Sequence, residues 1–140
     1  MNSATLPILV ALIVQLALGL VVFQANRQLK SNQAFLFLSV IASAWLCAMY
    51  FAITATSLTG AALWIRQTYA VGALIPAAFN LLRLSIRERQ VGWTVILRQS
   101  RVWIVLTIAA VIFCQTRWFL TGARFRNALG ESVQIGRAHV

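Results

Sequence analysis

Carboxylates are all but missing from this chain. Glu88 and Glu131 are its only acids, and His139 is its only histidine. General acid–base chemistry needs such groups paired in a folded interior. Ser39, Ser43 and Ser57 have no basic partner in the sequence to activate them as nucleophiles, so packing or capping is their expected role. Cysteine is nearly as scarce: Cys47 and Cys114 both fall inside apolar runs, with no CxxC spacing and no Cys/His cluster beside them. They are expected to act as small packing residues, without a disulfide or a metal. No catalytic residue, no metal and no cofactor is expected.

What is abundant is hydrocarbon. Hydrophobic residues make up 61% of the chain, gathered in four long runs, Thr5–Phe23, Ala34–Thr54, Ala62–Leu82 and Val102–Leu120. About 20 apolar residues of helix cross a bilayer core. A soluble domain of this length leaves too much surface in water to hide four such elements. The expected fold class is therefore all-α, an integral membrane bundle of four transmembrane helices over residues 1–134, with spans near 5–23, 34–54, 62–82 and 102–120. The first run is long for the core of a cleaved leader, and residues 1–4 carry no Lys or Arg, so it is expected to be a retained span.

Twelve basic residues against two acidic ones give a net charge of +10. Nucleic acid is not the expected partner, because the cations sit at the ends of the apolar runs and form no stripe on a soluble element. Such residues fix orientation, and they attract anionic lipid headgroups. An outside N-terminus leaves Arg27, Lys30, Arg83, Arg87, Arg89, Arg98 and Arg101 in the cytoplasm, against Arg66, Arg117, Arg124 and Arg126 outside. Seven against four favours that orientation. The cytoplasmic linker 83–101 is expected either as a helix on the membrane surface, with Arg83, Arg87, Arg98 and Arg101 in one sector, or as an irregular basic loop.

Within the spans, a few residues depart from the apolar background. Gln15 is expected to hydrogen-bond a neighbouring helix. Ser39 with Ser43, and Ala44 with Ala48, are small residues four apart that let helix backbones approach closely. Trp45 lies mid-span, where it either packs between helices or lines a cavity. Arg66, one turn into the third run, snorkels to the interface or attracts an anionic or carbonyl-bearing ligand. Trp64 and Tyr69 fit an aromatic belt at that end, Trp103 with Arg117 and Trp118 forms interfacial anchors, and Pro76 is expected to kink the helix. Ser57-Leu58-Thr59-Gly60 is expected to be a short connection between the second and third spans.

The ordered set Asn32-Gln33-Ala34-Phe35, Ser39 and Trp45, followed by Trp64-x-Arg66-x-x-Tyr69, Ala73 and Pro76, resembles the second and third spans of a known module. That module is the N-terminal seven-span sensor region of bacterial histidine kinases, also found on diguanylate cyclases. The likeness covers roughly residues 5–120. It implies a multi-pass protein of the bacterial cytoplasmic membrane, an input role in signal transduction, and C-terminal signalling domains as partners. A second copy of the chain is a further candidate partner. Trp45, Arg66 and Tyr69 become the ligand-binding candidates, with Pro76 shaping the bundle.

Four spans where that family has seven imply a fragment. The last six residues, Ile135-Gly136-Arg137-Ala138-His139-Val140, resemble the translation of a common sequencing-library adapter, so 135–140 is expected to be a tail without functional weight. An anchor or assembly subunit of a membrane complex remains the alternative reading. A small transporter is a weaker one, because ion-coupled carriers need an ionisable carboxylate inside the membrane and neither glutamate lies in a span.

Overall fold

A computed structural model of the chain describes residues 5–88, 90–116, 119, 124–126 and 132–134. From residue 5 to residue 115 it is helical apart from short connections: α1 (Thr5–Ala25), α2 (Lys30–Thr54), α3 (Leu58–Gly72), α4 (Leu74–Arg87), α5 (Trp93–Gln99) and α6 (Arg101–Gln115). Beyond α6, a pair of three-residue strands, β1 (Arg124–Arg126) and β2 (Ser132–Gln134), runs antiparallel with Phe125 opposite Val133. Arg89, Arg117, Trp118, Glu131 and the tail 135–140 lie outside the described residues.

Three helical stretches are long and apolar enough to cross a bilayer: α1, α2, and α3 with α4 read together as Leu58–Arg87. The count becomes four if α5 and α6, bent by 63° at their junction, form one broken span. At 1.5 Å per residue the 21 residues of α1 reach about 31 Å, enough for a hydrocarbon core of about 30 Å. The lipid-like environment shows in what stays uncovered: Ile13 and Val21 are each 64% exposed on α1. In water, such a surface would drive aggregation.

The helices pack as a row. α1 lies on α2, α2 on α3 and α4, and α6 on α3 and α4. The first contact is close because Gly19 meets Ser39, where an added Cβ would stand 2.5 Å from Ser39 Cβ. Gln15 Nε2 donates to Ser39 Oγ at 3.4 Å, and Ser43 Oγ donates to the Ser39 carbonyl at 2.8 Å. The expected small-residue seam therefore exists at Ser39, Ser43 and Ala48, all buried, while Ala44 is exposed and takes no part.

Several boundaries differ from those expected. α2 starts at Lys30 instead of Ala34, because its polar first turn is tied back: Asn32 Nδ2 donates to the Val22 carbonyl of α1 at 2.8 Å, and Gln33 Nε2 to that of Arg27 in the turn at 2.9 Å. α3 begins at Leu58, not beyond Gly60, since Ser57 Oγ accepts the Gly60 N–H at 3.1 Å as an N-cap. The connection is thus 55–57 alone. α4 continues to Arg87, so the basic stretch 83–101 is neither one surface helix nor one loop. Arg83 and Arg87 belong to α4, Arg98 to α5 and Arg101 to α6. The fourth helix stops at Gln115 instead of Leu120, where Thr116 turns extended (φ −74, ψ 155) and its Oγ1 donates to the Phe113 carbonyl at 2.7 Å.

Candidate functional site

The third expected span breaks in its middle. Proline at position 76 has no N–H to offer the turn before it, and the helix parts at Ala73, three residues earlier. Thr107 Oγ1 of α6 donates to the Ala73 carbonyl at 3.3 Å. Backbone polar groups at an interrupted turn are costly in a bilayer interior, so this hydroxyl from the next helix stabilises the break.

Beside the break lies a cavity of about 600 Å³. From α2 it takes Trp45, Met49, Ala52 and Ile53, and from α3 Ile65, Thr68, Tyr69 and Gly72. Both sets follow the three-to-four-residue spacing of a single helix face, so the two helices present facing walls. Ala73 at the break and Cys114 on α6 complete the lining. Volume and lining suit a mostly apolar small molecule.

Trp45 holds the centre because residue 72 is glycine. A Cβ there would sit 3.3 Å from the indole Nε1 and 3.4 Å from Cδ1, so the ring lies almost against the α3 backbone. The indole N–H finds no acceptor among the described residues. The nitrogen is not fully enclosed, so the N–H is open to an acceptor that enters the cavity. Thr68 Oγ1 already donates to the Trp64 carbonyl at 2.8 Å. Tyr69 is exposed at the rim, where its ring meets Phe119 edge-on with centroids 5.1 Å apart.

Of the three residues expected to bind a ligand, the structure brings Trp45 and Tyr69 together and sets Arg66 apart. Arg66 lines a separate recess of about 330 Å³ with Thr59, Leu63, Gln67 and Gln115. Its Nε is buried with no hydrogen-bond partner among the described residues. Trp64, expected in an aromatic belt beside it, stacks on Phe51 with centroids 4.6 Å apart. Pro76 shapes the break but does not line the main cavity; it borders a smaller recess of about 240 Å³ with Trp103 and Thr107.

The residues expected to set orientation collect at the opposite end. Topology places Arg27, Lys30, Arg83, Arg87, Arg98 and Arg101 there, and side chains tie that end together. Lys30 Nζ donates to the Val91 carbonyl, Trp93 Nε1 to Gln33 Oε1 at 3.0 Å, and Gln99 Nε2 to Glu88 Oε2 at 3.2 Å.

Sequence reasoning missed Asn80, which is 7% exposed and donates from Nδ2 to the buried Ser100 Oγ at 3.1 Å. A lone amide in the run Ala77-Ala78-Phe79-Asn80-Leu81-Leu82 was the available signal. Thr107 was missed for the same reason. Among the described residues no group of three or more His, Cys, Asp or Glu side chains could hold a metal ion, and both cysteines are free. No family model, curated protein or solved structure matches this chain.

Proposed function

We propose that the chain is the membrane-embedded input region of a bacterial signal-transduction protein, and that the Trp45 cavity is where the stimulus acts. In this reading the cytoplasmic membrane holds four crossings, with α5 and α6 together forming the fourth and the N-terminus outside. Output belongs to signalling domains fused to this region or bound by it. The observation that carries the reading is the unpaired Trp45 N–H in a cavity of about 600 Å³ beside a helix break. A small apolar molecule with one hydrogen-bond acceptor would satisfy that donor. Filling the cavity would press on Gly72 and Ala73, where α3 gives way to α4. Ligand shifts an equilibrium only by binding its two states differently, and in this reading the two states differ in how α4 sits on α3 and α6.

The test fuses residues 1–134 to the last spans and output domain of a seven-span kinase and reads phosphorylation in membranes. Trp45→Ala and Gly72→Leu should change basal output or abolish its response to lipophilic extracts. Unchanged output in both would reject the cavity as the input site.

An anchor or assembly subunit is the second reading, and the bareness of α6 favours it. Only Thr107 and Cys114 are buried on that helix, while Val105 and Ile112 are 64% and 62% exposed. Co-purification of a defined membrane partner in stoichiometric amount, lost on Val105→Ser, would select this reading over the first.

A further inference from the structure

The junction of α5 and α6 shares no residue with the Trp45 cavity. α5 has seven residues and turns by 63° into α6 at Ser100. The bend is fixed from inside. Ser100 and Ile96 are fully buried, and Ser100 Oγ accepts from Asn80 Nδ2 at 3.1 Å. Asn80 Oδ1 in turn accepts from Arg83 Nη2 at 3.3 Å, which ties α4 into the same chain of bonds. Breaking this chain would strand a buried amide, so the elbow holds its shape.

A recess of about 540 Å³ is lined by Arg98 and Arg101 on either side of the bend, together with Gln99, Val95 and Val102. Both arginines are exposed, and neither forms an ion pair among the described residues. The one described carboxylate in the neighbourhood, Glu88, takes its hydrogen bond from the Gln99 amide instead. Two guanidinium groups without a direct ion pair among the described residues and two aliphatic side chains therefore line one hollow, with the Glu88 carboxylate held on its Gln99 wall, at the end of the membrane helices where the cations collect.

We propose that this hollow binds the phosphate of an anionic phospholipid headgroup. Arg98 and Arg101 hold the phosphate oxygens, and Val95 and Val102 meet the first methylenes of the acyl chains. A planar guanidinium matches phosphate with paired N–H donors, which a lysine does not. The two valines decide the source, because a free phosphate would satisfy the arginines and leave the aliphatic wall facing water. The proposal does not depend on the sensor reading.

The test purifies the full chain in mild detergent and measures retained phosphatidylglycerol and phosphatidylcholine by native mass spectrometry. R98Q, R101Q and the double variant are compared with R27Q, which removes the same charge at the 26–29 turn. Helical circular dichroism verifies that each variant folds. The wild-type chain should retain phosphatidylglycerol over phosphatidylcholine, and R27Q should match it. Affinity should fall about fivefold for each elbow arginine removed. Millimolar inorganic phosphate should not displace the lipid. Equal retention by the double variant overturns the site, equal loss in R27Q reduces it to bulk charge, and displacement by phosphate makes it a free-anion site.

Discussion

A methyl group at position 19 would have nowhere to go. Its carbon would stand 2.5 Å from Ser39 Cβ and 2.8 Å from Ser39 Oγ, so α1 and α2 must separate to admit it. Gly19→Ala should therefore destabilise the helix pair by about 1–3 kcal/mol, the usual cost of overpacking. Reversible unfolding in bicelles measures that loss. Gly19→Ala combined with Ser39→Gly should recover most of it, because the obstructing atoms are those of the serine side chain. Failure of the second substitution to rescue would mean the cost lies elsewhere. Position 72 behaves differently. There the added carbon meets the Trp45 ring at 3.3–3.4 Å, a side chain that can yield by a few tenths of an ångström. Gly72→Ala should leave stability within about 1 kcal/mol of wild type while turning the indole. In protein labelled with 5-fluorotryptophan, the ¹⁹F resonance assigned to Trp45 should shift and the other four should stay. An unmoved Trp45 signal would show that the ring does not rest on that glycine.

At the level of the helices, the break between α3 and α4 depends on help from α6. Thr107→Val keeps the shape of the side chain and removes the hydroxyl that α6 donates to the Ala73 carbonyl. Interhelical hydrogen bonds in membranes contribute about 0.6 kcal/mol on average and up to about 1.7. The variant should lose that much, and amide exchange at Ala77 and Ala78 should speed up if the latch opens. Unchanged exchange there would assign the break to Pro76 alone. The sequence makes the existence of these helices plain, because runs of 20 apolar residues have few other solutions. Their ends are less legible, since α2 begins where Asn32 reaches back to α1 and Gln33 to the turn before it. Such a bond depends on how the chain folds over, and local hydrophobicity carries no trace of it. The candidate site divides in the same way. Trp45 and Pro76 stand out as oddities in a lipid-facing pattern, but the pairing of Trp45 with Gly72 joins residues 27 apart in the sequence. The resemblance to the seven-span module groups Arg66 with Trp45 and Tyr69. Its own recess exists because Gln115 of α6 comes up beside it.

Across the whole molecule the row of helices has two unlike ends. One gathers the turn 26–29, the start of α2 and the connection 88–92 under a cluster of arginines; the other carries the uncharged connection 55–57. Cations resist translocation, and the proposed orientation therefore sets the first end in the cytoplasm. With Cys47 and Cys114 replaced by alanine, single cysteines at Gln28 and Gln90 should react with a membrane-impermeant maleimide only from the cytoplasmic side. Thr56→Cys should react only from the outside. α6 adds a stricter condition. Its 15 residues span about 22 Å, short of a core of about 30 Å, so the helix alone cannot carry the chain across an undeformed bilayer. A cysteine at Thr116 labelled from outside would mean that α5, the 63° elbow or a thinned bilayer makes up the difference. Protection at position 116 from both sides would place the end of α6 within the hydrocarbon, and α5–α6 would then be a broken element that stops short of crossing. Labelling of Thr56→Cys from the cytoplasmic side would go further and overturn the alternation of α1, α2 and α3–α4 on which the orientation rests.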